Sequence, residues 1–72
     1  MTIIVTQMHR AEHGELEARV SLGNGSVPVT REYGSWMVRN GDKLRDIKLF
    51  AVKKRLADDA RTFTKREAAH GQ

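Results

Sequence analysis

Leu16, Ala18, Val20 and Leu22 alternate without a break against Glu15, Glu17, Arg19 and Ser21. Successive side chains of an extended chain point to opposite faces, so this stretch reads as a strand with one apolar and one polar face. A helix over the same residues would scatter the apolar side chains around its axis. The chain is therefore expected to build a sheet with one face on a core and the other in water, the setting in which strict alternation arises.

The flanking residues extend that sheet. Upstream, Thr2 to Met8 is β-branched and apolar, and His13-Gly14 offers a turn into the alternating strand. Downstream, Asn24-Gly25 suits a two-residue type I′ hairpin turn, whose central residues both take positive φ. A third strand should then begin near Val27. Pro28 lacks a backbone N–H, which assigns its stretch to a sheet edge or a bulge. Val29, Tyr33, Trp36 and Val38 supply strand-forming side chains, and Gly34 among them suggests a bend that resets which face they occupy. Trp36 is expected in the core, because so short a chain has few other large side chains. Tyr33 fits either a core position or an exposed anchor.

Asn40-Gly41 is a second turn dipeptide, and two readings follow from it. In one, Asp42 caps a single helix running to about Ala69. At about 100° per residue, however, Leu44, Ile47 and Ala51 then lie nearly opposite Leu49, Val52, Leu56, Ala60 and Phe63, and one surface helix cannot bury both sets. In the other, Asn40-Gly41 turns a fourth strand in which Arg45, Ile47, Leu49 and Ala51 alternate with Asp46, Lys48 and Phe50, and the helix starts near Phe50. Val52, Leu56, Ala60 and Phe63 then form one apolar stripe. The second reading is preferred, although the strong helix formers from Lys43 to Leu56 argue for the first. The fold class is α+β: a small antiparallel β-meander of three to four strands followed by one long C-terminal helix.

A chain of 72 residues makes one domain and buries only about 60% of the surface its unfolded form exposes. Strands are expected within 1–49, a basic amphipathic helix over 50–69 and a frayed tail at 70–72. No repeat, linker or low-complexity segment interrupts this. The absence of cysteine excludes a disulfide framework and a thiol nucleophile and suits a reducing cytoplasm. No segment reads as an export signal, and none approaches the roughly 18 apolar residues of a membrane span.

His9-Arg10-Ala11-Glu12-His13 matches H-x-x-E-H, in which two histidines one helical turn apart bind zinc and the glutamate activates water. That chemistry needs the motif on a helix and a third protein ligand. Here the motif follows a strand-like run and precedes Gly14, so it reads as an exposed polar turn. Asp58-Asp59 diverge by about 100° on a helix and cannot share a proton; Asp58 instead reaches Lys54 at i−4 and Arg61 at i+3. Neither a catalytic residue, a metal site nor a cofactor is assigned.

Charge is the remaining signal. Residues 1–41 balance Arg10, Arg19, Arg31 and Arg39 against Glu12, Glu15, Glu17 and Glu32, so the net charge of +4 lies entirely in residues 42–72. A one-sided positive field attracts nucleic acid or acidic protein surfaces. On a helix from about residue 50, Lys54, Arg55, Arg61, Lys65 and Arg66 form an arc opposite the apolar stripe and away from the sheet. Arg39, Lys43, Arg45 and Lys48 extend it near the second turn, and Tyr33 is the aromatic candidate for a contact. In size, charge and strand-then-helix layout the chain resembles small bacteriophage-encoded regulators of host RNA polymerase. The resemblance covers layout alone and carries over no contact residue. It implies a non-enzymatic regulator that docks on RNA polymerase or an associated nucleic acid. Direct, non-sequence-specific DNA or RNA binding is the alternative, and a homodimeric interaction module is the second.

Overall fold

The computed structural model describes residues 2–41 and 43–70. Five strands, β1 (Ile4–Arg10), β2 (Leu16–Ser21), β3 (Ser26–Glu32), β4 (Ser35–Asn40) and β5 (Lys43–Asp46), precede one helix, α1 (Phe50–His70). The strands form a single antiparallel meander in the order β1-β2-β3-β4-β5. The α+β layout is as read from the sequence, with five strands in place of three or four.

The additional strand comes from Tyr33-Gly34. Glu32 pairs directly with Ser35, which leaves these two residues as the whole loop. Their φ values of 53° and 80° are the double positive φ of a type I′ turn. The expected bend at Gly34 is thus a complete hairpin, and a bulky aromatic occupies a conformation that normally favours Asn or Gly.

The other turns differ in detail from their sequence signals. Ser21 pairs with Ser26, so Leu22 to Gly25 is a four-residue loop; Gly25 takes positive φ and Asn24 does not. Leu22 falls in this loop, half exposed, and does not continue the buried face of β2. Asn40 pairs with Lys43, making Asn40 the last residue of β4; Asp42, the alternative helix cap, lies outside the described residues. Pro28 sits on a strand that is central in the sheet, contrary to the edge position expected. The β3–β4 ladder begins only at Val29, so the side of Pro28 facing β4 lies beyond the paired stretch.

Alternation in β2 buries Leu16, Ala18 and Val20, and the register carries the same face across to Val29, Val38 and Trp36. In β1, two residues, Gln7 and Met8, oppose Ala18 because a bulge separates the Thr6–Arg19 and His9–Glu17 pairs. Gln7 takes φ 57° there. The bulge changes the parity of the strand, so Met8 joins Ile3 and Val5 against the core.

The helix covers this inner face with Val52, Leu56 and Ala60 buried and Phe63 packed beside them. β5 is shorter than the fourth strand expected from the sequence, ending at Asp46, though the Ile47 amide still donates to the Trp36 carbonyl at 3.1 Å. The Leu49 carbonyl accepts from the amides of Val52 and Lys53, both at 3.1 Å, and so starts α1. At the other end His70 is helical; of the tail read as frayed, positions 71 and 72 lie outside the described residues.

Leu56 is fully enclosed, at 0% exposure. Leu56→Ala should lower unfolding free energy by about 3 kcal/mol, measured by urea denaturation, because the site is closed on all sides and leaves a cavity. Tyr33→Asn should raise it by about 1 kcal/mol, since Asn tolerates the left-handed conformation at which tyrosine is strained.

Candidate basic docking surface

Of the ten residues singled out from the sequence, the structure brings four together and disperses the rest. Lys54 and Arg61 share a helix face with Asp58 between them, each 3.6 Å from one of its carboxylate oxygens, and Arg61 also borders Arg31 of β3. This is the i−4 and i+3 bridging the spacing implied. Arg55 and Arg66 do not belong to that face: with Asp59, Thr62 and Phe63 they border β1 at Val5 to Met8. Arg55 Nε donates to Asp59 Oδ2 at 3.1 Å. The helical arc is therefore neither continuous nor free, because three of its five cations are paired with acids on the same helix. Lys65 and Arg66 make no ion pair among the described residues.

Arg39, Lys43, Arg45 and Lys48 occupy the β4–β5 hairpin and the segment after it. All four are exposed, and none forms an ion pair among the described residues. The one acid between them among the described residues, Asp46, lies 3.7 Å from Lys53 Nζ and is engaged there. Register places Arg39 beside Leu44 on the outer face and Arg45 beside Val38 on the inner face, so the hairpin presents cations on both sides. The first helical turn holds no acid, and Lys53, Lys54 and Arg55 follow the positive end of the helix dipole directly. Positive potential is thus concentrated at β5 and the helix start. Tyr33 is fully exposed but lies at the opposite end of β4 from Gly41, about 20 Å away at the usual rise per strand residue.

Two features were not read from the sequence. Arg10 Nε donates to Glu67 at 3.1 and 3.3 Å, and its Nη1 donates to the Gly14 carbonyl at 3.0 Å. One guanidinium thus ties the β1–β2 turn to the C-terminal half of the helix. The other is an apolar groove of about 250 Å³ between the inner face at the β2–β3 loop end and the start of the helix. Its signal, in retrospect, is the placement of Leu22, Val27 and Leu49, apolar residues beside a glycine-rich loop and just before the helix.

The H-x-x-E-H residues lie on the end of β1 and in the turn after it, not on a helix. No group of three metal-ligating side chains occurs among the described residues. His9 has a different role. Its Nδ1 donates to the Gln7 carbonyl at 2.8 Å, and its Nε2 meets Glu17 Oε1 at 3.0 Å. Two acceptors favour the doubly protonated ring. The Gln7 carbonyl is the main cause that raises the His9 pKa from 6.5; desolvation opposes it, and the hydrogen bond and charge of Glu17 add smaller increases.

No helix of the described residues is long and apolar enough to cross a membrane. Comparison with protein-family models, curated proteins and solved structures finds no match.

Because the folded pKa of His9 is raised, its contribution to stability is complete below the unfolded value and is lost as pH rises through the folded one. An NMR titration should place the His9 midpoint above 6.5, and Glu17→Gln should lower that midpoint.

Proposed function

We propose that this protein is a small non-enzymatic regulator that docks its basic surface on the transcription machinery in the cytoplasm, either on RNA polymerase or on nucleic acid associated with it. The observation that carries this reading is the contrast between two sets of cations. Those on the helix are largely paired with Asp58 and Asp59, whereas Arg39, Lys43 and Arg45 on the β4–β5 hairpin and Lys48 just after it form no ion pairs among the described residues. Such a cluster steers acidic partners toward itself at long range and sets the register of docking. RNA polymerase as target rests on the likeness in size, charge and layout to the phage regulators.

An acidic protein surface is favoured over direct nucleic-acid binding. The exposed aromatic Tyr33, the candidate for stacking bases, is at the opposite end of β4 from Arg39 and Lys43, so these do not form one stacking platform.

The test is fluorescence anisotropy with the labelled protein against nuclease-treated bacterial RNA polymerase, random duplex DNA, single-stranded DNA and RNA, each at two salt concentrations. The polymerase should bind, and Arg45→Glu combined with Lys48→Glu should weaken it at least tenfold, which is about 1.4 kcal/mol. Binding to nucleic acid alone, with log K falling against log salt by about 0.9 per phosphate contact on duplex, would establish the direct nucleic-acid reading instead. Binding to neither removes both.

A further inference from the structure

The helix crosses the inner face of the sheet unevenly. Its C-terminal half lies toward β1, where Phe63 sits beside Val5 and Met8 and Glu67 is held by Arg10. Its start lies near Val29 and Val38, and the inner face beyond, at the β2–β3 loop, has no cover. Leu22, Val27 and Leu49 border this opening at 48%, 46% and 45% exposure. The floor is Val20, almost fully buried. In a domain with so small a core, three half-exposed aliphatic side chains around one opening form a contiguous apolar patch of the kind that marks an interaction site.

The groove, at about 250 Å³, is smaller than the roughly 300 Å³ at which small-molecule pockets begin. It is open along one side and suits side chains projecting from a larger partner. Its rim is basic. Arg45 shares the inner face of the edge strand through its pairing with Val38, and Lys48 borders the groove directly. A second copy of this chain would bring the same cations against themselves, at the cost of like-charge repulsion. The complementary occupant has apolar side chains on one face and carboxylates flanking them.

We infer that the groove bordered by Leu22, Val27 and Leu49 receives the apolar face of an acidic amphipathic segment of a protein partner, with Arg45 and Lys48 pairing its Asp and Glu side chains. This deepens the docking reading above and rests on it: the hairpin supplies the attraction, and the groove supplies the anchor.

The test is a methyl and amide NMR titration of the isotope-labelled full chain. The probe is a synthetic amphipathic peptide of leucine, phenylalanine, aspartate and glutamate; two controls replace its acids by lysine or its apolar residues by serine. The acidic peptide should shift the Leu22, Val27 and Leu49 methyls saturably, and both controls should fail to do so. Leu49→Asp should weaken binding at least tenfold, and so should Arg45→Glu. Leu22→Glu, a change in an exposed loop, is the second variant if Leu49→Asp alters the fold as seen in Trp36 fluorescence. Shifts confined to the Arg45 and Lys48 amides would overturn the groove while leaving the basic-edge reading intact. No shift in either region would remove both. Concentration-dependent dimerisation in sedimentation, abolished by Leu49→Asp, would assign the groove to a second copy and overturn the inference.

Discussion

An open antiparallel sheet has two faces, and among the described residues only one of them has a cover: the stripe of Val52, Leu56, Ala60 and Phe63. Leu56 is enclosed completely because the strands beneath it present aliphatic side chains in register from β2 through β4. The meander alone would leave this face in water, and an isolated helix with such a basic first turn would form poorly. Each supplies the surface that the other must bury. The bulge at Gln7 belongs to the same constraint, since it returns Met8 to the covered face after Val5 and at the same time orients the carbonyl that holds His9.

The way the helix lies also distributes the charge. By reaching toward β1, where Arg10 clamps Glu67, it leaves the β2–β3 loop end of the inner face open. Lys54 and Arg61 find Asp58 within one turn, so they are neutralised locally and contribute little field. Those of the β4–β5 hairpin form no ion pair among the described residues, and the one acid of β5, a four-residue edge strand, is engaged by Lys53. Charged side chains on a short edge also hinder strand-to-strand aggregation. The same residues therefore protect the edge and create the positive surface beside the open groove.

Much of the fold was legible from periodicity. The alternation in Leu16 to Val20 identified β2 and its buried face, and the spacing of Val52, Leu56, Ala60 and Phe63 placed the helix start at Phe50 against the strong helix formers before it. Trp36 was assigned to the core by the scarcity of other large residues. The Tyr33-Gly34 hairpin escaped because tyrosine is a poor residue for positive φ, and the neighbouring pairs Arg31–Trp36 and Glu32–Ser35 impose the turn on it. The candidate surface was legible only in outline. Its cations were named from the sequence, but the pairing of Arg55 with Asp59 and the position of Arg55 and Arg66 beside β1 were not.

By itself the sequence determined which side chains share a face within each element, because that depends on local periods of two and about 3.6 residues. It likewise determined the i−4 and i+3 bridges of Asp58, which the helix alone brings within reach. Only the tertiary structure decided how many strands the meander has, where the helix crosses it, that Arg10 meets Glu67, and that an apolar groove stays open beside Arg45 and Lys48. These depend on distances between residues far apart in the chain, and such distances come into being only when the helix packs against the sheet.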